Sequence, residues 1–153
     1  MTMGVSKTIK SAALVACTLA AASAVAVEPE FFARKAAPGQ PSYPFSEAVR
    51  VGDMLYLSGE IGLGADGKLV AGGIKAEAKQ MMDNIGANLA RHGSSFDGVV
   101  QCTVALADIA DWPAFNEVYR GYFSKHFPVR MAYATRGLAL GARVEVQCNA
   151  VVK

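Results

Sequence analysis

The sequence predicts an α+β domain in which a mixed β-sheet carries two helices on one face. Three observations predict it. Ile74, Ala78, Met81, Met82, Ile85 and Leu89 recur at helical spacing. Trp112, Phe115, Tyr119 and Phe123 form a second, aromatic stripe at the same period. In Arg143–Val152, Val144, Val146, Cys148 and Ala150 alternate with Arg143, Glu145, Gln147 and Asn149, the period of a half-buried strand. The order strand, strand, strand, helix, strand, helix, strand, strand gathers the helices onto one face of six strands. The other face would present Glu145, Gln147 and Asn149, a polar surface better suited to an interface that contains a site than to a dry core.

The chain begins with a targeting pattern. Lys7 and Lys10 precede an apolar, Ala-rich run from Ser11 to Ala22, followed by two small-x-small cleavage patterns ending at Ala24 and Ala26. Cleavage is expected after Ala26, with Ala24 second, which makes the protein secreted or periplasmic. A lipoprotein box at Leu14-Val-Ala-Cys17 ranks lower because it leaves a very short apolar core after Lys10. The run falls short of the ~20 apolar residues of a membrane span. Residues 1–26 hold two of the 15 basic residues and none of the 13 acidic ones. The remainder therefore carries 13 of each sign. A neutral domain has no overall electrostatic footprint for nucleic acid.

Residues 27–153 fit one domain. Residues 27–42 form a lead-in with Pro29, Pro38, Gly39 and Pro41, read as an extended strand or linker, and 43–153 form the domain proper. Glu47–Val51 and Met54–Ser58 flank Gly52-Asp53, a hairpin signal. Ala65–Lys68 is a turn. The first helix runs from Ile74 to Arg91, with Gly93 suited to its C-terminal cap. Val99–Ala107 is a central strand. Asp111 is expected to cap the second helix, with Pro113 tolerated in its first turn. Pro128 ends that helical stretch and opens an extended run, Phe127–Tyr133. Cys102 and Cys148 lie in apolar strand runs, where a free thiol behaves as a small hydrophobe; thiols are the expectation, although export permits a disulfide. His92 and His126 have no Cys, Asp or Glu at ligand spacing, and no metal or cofactor is expected.

Two charges stand inside the last two strands, Arg130 and Glu145. The short Arg136–Gly141 connection permits an antiparallel pair that would bring them together. A guanidinium can hold a carboxylate through two hydrogen bonds, and a carboxylate can take a proton from water. Taken alone, such a pair is more often a structural ion pair.

Four motifs change that weighting. Pro128-Val129-Arg130 followed by a Val-Glu-Val strand resembles the closing signature of the RidA/YjgF family of reactive-intermediate deaminases. Tyr43-Pro-Phe-Ser-Glu-Ala-Val49 is similar to its Gly-Pro-Tyr-Ser-Gln-Ala-Val segment, and Leu57-Ser-Gly-Glu-Ile61 to its Ser-Gly-Gln-Ile strand end. Asp108–Tyr119 resembles its Asp-Leu-x-Asp-Phe…Asn-x-x-Tyr segment. The resemblance spans about residues 36–152. It implies a chorismate-mutase-like fold, a homotrimer whose sheets form a central barrel, and clefts between subunits that hydrolyse 2-imino acids to 2-keto acids and ammonia. It further implies that Arg130 binds the carboxylate of a small-molecule substrate, that Glu145 positions or deprotonates water, and that Gly59 lets the ligand approach the backbone. Asn116 stands at the family's asparagine and Phe45 at its site tyrosine. The resemblance also sets the strands of Cys102 and Cys148 side by side, so that a bridge becomes possible.

Four positions depart from the family pattern: Phe45 replaces the tyrosine, Ala132 a cysteine, and Glu47 and Glu60 two glutamines. The two glutamates would repel an anionic substrate unless they pair or protonate. Two other classes of function fit the same residues. One is a periplasmic small-carboxylate binding module without turnover. The other is a ribonuclease-like activity, as described for some family members, which the neutral charge balance disfavours. The export reading is tested by mass spectrometry of the protein expressed in a Sec-competent host: a mature N-terminus near Val27 is expected, and cytoplasmic protein retaining Met1 would refute it.

Overall fold

In the computed structural model, residues 26–36 and 41–152 are described; the expected export signal, including Cys17, lies outside them. Seven strand segments and two helices follow one another as β1 (Glu30–Ala33), β2 (Ser46–Val51), β3 (Met54–Leu57), β4 (Glu60–Ile61), α1 (Gly73–Arg91), β5 (Val99–Leu106), α2 (Trp112–Tyr119), β6 (Val129–Ala134) and β7 (Val144–Val151). They form one sheet in the order β1-β2-β3-β7-β5-β6. The two-residue β4 pairs with β7 farther along the same edge as β3, so seven segments fill six positions. The pair β5–β6 is parallel and every other pair antiparallel. The sheet is therefore mixed, and the α+β reading holds.

Local chemistry accounts for most of the elements. Gly52, at φ +58°, makes the two-residue turn between β2 and β3. The lead-in contains a real strand, since β1 pairs with β2. Helix α1 ends at Gly93, at φ +79°, with the Ser94 amide donating to the Leu89 carbonyl at 2.8 Å. Its apolar stripe, Ala78, Met81, Met82, Ile85 and Leu89, is fully buried. Phe115, Tyr119 and Phe123 of the aromatic stripe are buried, while Trp112 is half-buried. These side chains pack on Leu55, Leu57, Val104, Val144 and Val146 to form the single core. No helix among the described residues is long and apolar enough to cross a membrane.

Asp111 does not cap α2 with its side chain. Its carboxylate instead takes a two-pronged pair from Arg143, with bonds of 2.9 and 3.0 Å. Asp108 does the capping one turn earlier, accepting from the Ala110 amide at 2.9 Å. A charge-assisted fork to a guanidinium is stronger than one neutral cap bond, which explains the exchange.

Strands β6 and β7 are not neighbours: β5 lies between them. The connection bridges the end of β5, where the Thr135 amide donates to Leu106 and the Ala107 amide to Arg143. It is long enough to span the ~10 Å of two strand spacings. Side-chain alternation then separates the two charges. Arg130 lies opposite Cys102 and, through it, Cys148, on the helix-bearing face. Glu145 lies opposite Ala105 on the other face, one step out of phase with the buried Val144 and Val146. The predicted juxtaposition within one chain does not occur.

Cys102 and Cys148 are bonded as a disulfide between β5 and β7, which corrects the expectation of two thiols. They are direct cross-strand partners with Cα atoms 4.1 Å apart, close enough for the sulfurs to meet without moving the backbone. The bridge closes a separation of 46 residues. Replacing both cysteines with alanine should lower unfolding stability by about 2–4 kcal/mol, measured by urea denaturation, and thiol titration of the unfolded, non-reduced mature protein should find no free sulfhydryl.

Candidate active site

Arg130 and Glu145 occupy separate clefts. On the helix side, β6 carries Arg130 against the stripe of α2. Its guanidinium carbon lies 4.7, 5.0 and 5.8 Å from the ring centres of Tyr119, Trp112 and Phe115. Three aromatic faces hold the cation without neutralising it. The cleft above it, about 400 Å³, is bordered by Asn116, Tyr119, Arg120, Phe127, Pro128 and Arg130. Among the described residues no acidic side chain borders it. Burial pushes the Tyr119 hydroxyl up to about 12, with the Arg130 charge opposing the shift. That hydroxyl is buried without a hydrogen-bond partner.

On the open face, Glu145 borders a smaller cleft, about 210 Å³, with Thr103, Tyr133, Thr135 and Gln147. Gly59 separates β3 from β4 directly opposite. A Cβ added there would collide with the Glu145 carboxylate, so only glycine leaves the carboxylate its place. The structure thus joins Arg130 with Asn116, and Glu145 with Gly59. Phe45 borders neither cleft; it is exposed, packs on Tyr43 at 5.2 Å and lies under the Arg34 guanidinium. Among the described residues no group of three His, Cys, Asp or Glu is arranged to hold a metal ion.

The two unexpected glutamates are paired. Glu60, 2% exposed, takes a two-pronged pair from Arg34 at 2.9 and 3.2 Å and a bond from the Asn88 amide at 2.7 Å. Glu47 is held by Arg91 and by His92, the latter at 3.1 Å. Burial pushes the Glu47 carboxyl up, but hydrogen bonds and charge from Arg91 and His92 outweigh it and hold the group below the ordinary glutamate value. Arg34 was invisible as a site-shaping residue because it lies in a lead-in with no periodic pattern. Tyr119 and Arg120 were legible in principle: with Asn116 they fall at i, i+3 and i+4, one face of a helix.

The fold and its clefts define a single-domain α+β protein with one cationic and one carboxylate-bearing cleft on opposite faces of its sheet. The comparisons narrow this class. The family model described as Endoribonuclease L-PSP matches residues 34–152. A goat (Capra hircus) protein named 2-iminobutanoate/2-iminopropanoate deaminase is 48% identical over 109 residues, 71% of this chain and 80% of its own. An Arabidopsis thaliana protein named Reactive Intermediate Deaminase A, chloroplastic, is 34% identical over 85% of this chain and 70% of its own. The crystal structure of RidA from the Antarctic bacterium Psychrobacter sp. superposes with a TM-score of 0.69 at 31% identity, covering 83% of this chain and 98% of that one. The chain belongs to the RidA family, also described as the endoribonuclease L-PSP family.

The Glu47 pairing has a pH signature. A carboxylate whose folded pKa is depressed contributes stability above its unfolded pKa, about 4.3, and loses it as pH falls through the lower folded value. Glu47→Gln should therefore be less stable than the parent near neutral pH, with the difference shrinking as pH falls below about 4. Urea unfolding at a series of pH values reads this directly; a pH-independent difference would mean that shape rather than charge is lost.

Proposed function

We propose that this protein hydrolyses 2-imino acids to 2-keto acids and ammonia, in clefts between the subunits of a homotrimer, after export from the cytoplasm. The single observation that carries the reading is Arg130: a cation seated on three rings, in a cleft that no acidic residue borders. Such a group is available to a ligand carboxylate. Relatives named as 2-iminobutanoate/2-iminopropanoate deaminases support the reaction class.

The two-faced sheet supports the proposed assembly. Arg130 and Glu145 lie on opposite faces, so one chain cannot present both to one small substrate. The open face also exposes Val129, Met131 and Tyr133 along edge strand β6, around the polar Glu145 and Gln147. Exposed apolar surface with a polar interior marks a protein interface. Packing three such sheets together covers that surface and carries Glu145 of one subunit to the Arg130 cleft of the next.

In that site Arg130 fixes the substrate carboxylate with a two-pronged bond. Glu145 takes a proton from water as the water oxygen bonds to C2, and the C=N electron pair moves onto nitrogen. That proton passes to nitrogen, giving a carbinolamine; Glu145 then takes the remaining hydroxyl proton and returns it to nitrogen as the C–N bond breaks and the carbonyl forms, and ammonia leaves. Gly59 leaves the Glu145 carboxylate room to lie against the backbone.

The roles separate experimentally. Arg130→Lys keeps the charge but loses the planar fork, and should weaken binding of the unreactive product 2-oxobutanoate by about ten- to a hundredfold. Glu145→Gln should leave that binding within a factor of about two, while ammonia release falls about 10²–10⁴-fold. Calorimetry and ammonia assays on one preparation, with light scattering to confirm a trimer, measure all three. A monodisperse parent monomer would defeat the intersubunit site, and equal loss of binding in both variants would defeat the division of roles.

A further inference from the structure

The Arg130 cleft offers more donors than a monocarboxylic imino acid can engage. Four of the groups that border it have no partner within the protein among the described residues. Arg130 has aromatic faces instead of an acid. Arg120 makes no ion pair; its neighbour Glu117 is engaged by Lys75 at 2.5 Å, with the Arg120 charge only adding to the effect of Lys75 on that carboxylate. Asn116 makes no side-chain hydrogen bond. The Tyr119 hydroxyl is buried, on a side chain 4% exposed, and unpartnered. A buried hydroxyl left without a partner is costly, and few native groups are left so.

Placement makes these groups one set. Asn116 and Arg120 are four residues apart and project from the same helical face beside Tyr119. All three converge with Arg130 on one cleft of about 400 Å³ to which the described residues of the same chain contribute no carboxylate. A ligand bearing one carboxylate satisfies Arg130 through both oxygens and leaves Arg120 unpaired. A second carboxylate on the same ligand supplies the missing acceptors.

Resting on the reading of Arg130 as the carboxylate binder, we infer that the preferred substrates are 2-imino dicarboxylates, with Arg120 receiving the side-chain carboxylate. Arg120 is the specificity-determining residue in this arrangement. Its exposed position makes the preference sensitive to ionic strength, as a surface charge contact must be.

The test uses the mature full-length protein and two unreactive products, 2-oxoglutarate and 2-oxobutanoate, titrated by calorimetry into the parent, Arg120→Gln and Arg120→Lys. The parent should bind 2-oxoglutarate at least about tenfold more tightly, the worth of one charge-assisted bond. In Arg120→Gln the ratio of the two affinities should collapse by about ten- to a hundredfold; Arg120→Lys should restore part of it, and added salt should erode it. Equal parental affinities, or an affinity ratio unchanged in Arg120→Gln, overturns the inference. Ammonia release from imines made in place by oxidation of glutamate and of 2-aminobutanoate tests the reaction separately. If neither imine is hydrolysed the deaminase reading fails, while the affinity ratio still decides the role of Arg120.

Discussion

The register of β7 fixes most of what this protein presents to a ligand. The strand pairs with β3, β4 and β5, and its alternate residues Val144, Val146, Cys148 and Ala150 are fully buried under the helices. A slip of one residue would drive Glu145, Gln147 and Asn149 into Met81, Ile85 and Phe115 and lift four apolar side chains to the opposite face. Burying even one of those polar groups without a partner costs about 1–3 kcal/mol. The Cys102–Cys148 bridge closes the same register covalently at mid-strand. Glu145 is thus held on the face away from the core, and Arg130, set by β5, on the face toward it.

What could be read from the sequence follows from the range of the interactions involved. Helix α1, the β2–β3 hairpin and the alternation of β7 are written in local periods, and each stands within a residue or two of its expected place. Strand order is not local. The antiparallel pairing of β6 with β7 was reasonable from a short Gly-containing connection, yet β5 takes the place between them. Arg130 and Glu145 were found as residues, whereas their separation by a sheet was not. Asp111 shows the same limit at one side chain: its position predicts a cap, but Arg143, 32 residues away, supplies a stronger partner.

The two acidic departures from the family pattern are resolved in the same way. Read along the chain, Glu47 and Glu60 add negative charge near a site for anions. Read in space, each has acquired partners from distant elements, the Arg34 guanidinium for Glu60 and the Arg91 guanidinium with the His92 ring for Glu47. The Glu60 pair is also the more constrained, because a carboxylate buried to 2% exposure is tolerable only with its acceptors filled. Arg34 and Asn88 fill them, and Arg34 at the same time lies over Tyr43 and Phe45. The segment bearing Phe45 is therefore tied to the strand end at Gly59 by an ion pair that a glutamine at position 60 would only weakly reproduce.

Keeping Arg130 and Glu145 on opposite faces has a chemical consequence for the proposed site. Were they cross-strand partners, as their sequence positions invite, each would satisfy the other. A substrate carboxylate would then have to displace an internal ion pair. Separation avoids that competition. Arg130 rests on Tyr119, Trp112 and Phe115, contacts of about 0.5–2 kcal/mol that leave its five donors free. Among the described residues, the side chains that share the Glu145 cleft are uncharged, and its carboxylate lies against the Gly59 backbone. In the proposed trimer the cation and the base would meet across a subunit boundary, with a substrate between them to take the guanidinium, so that assembly rather than the folded chain would complete the reacting pair.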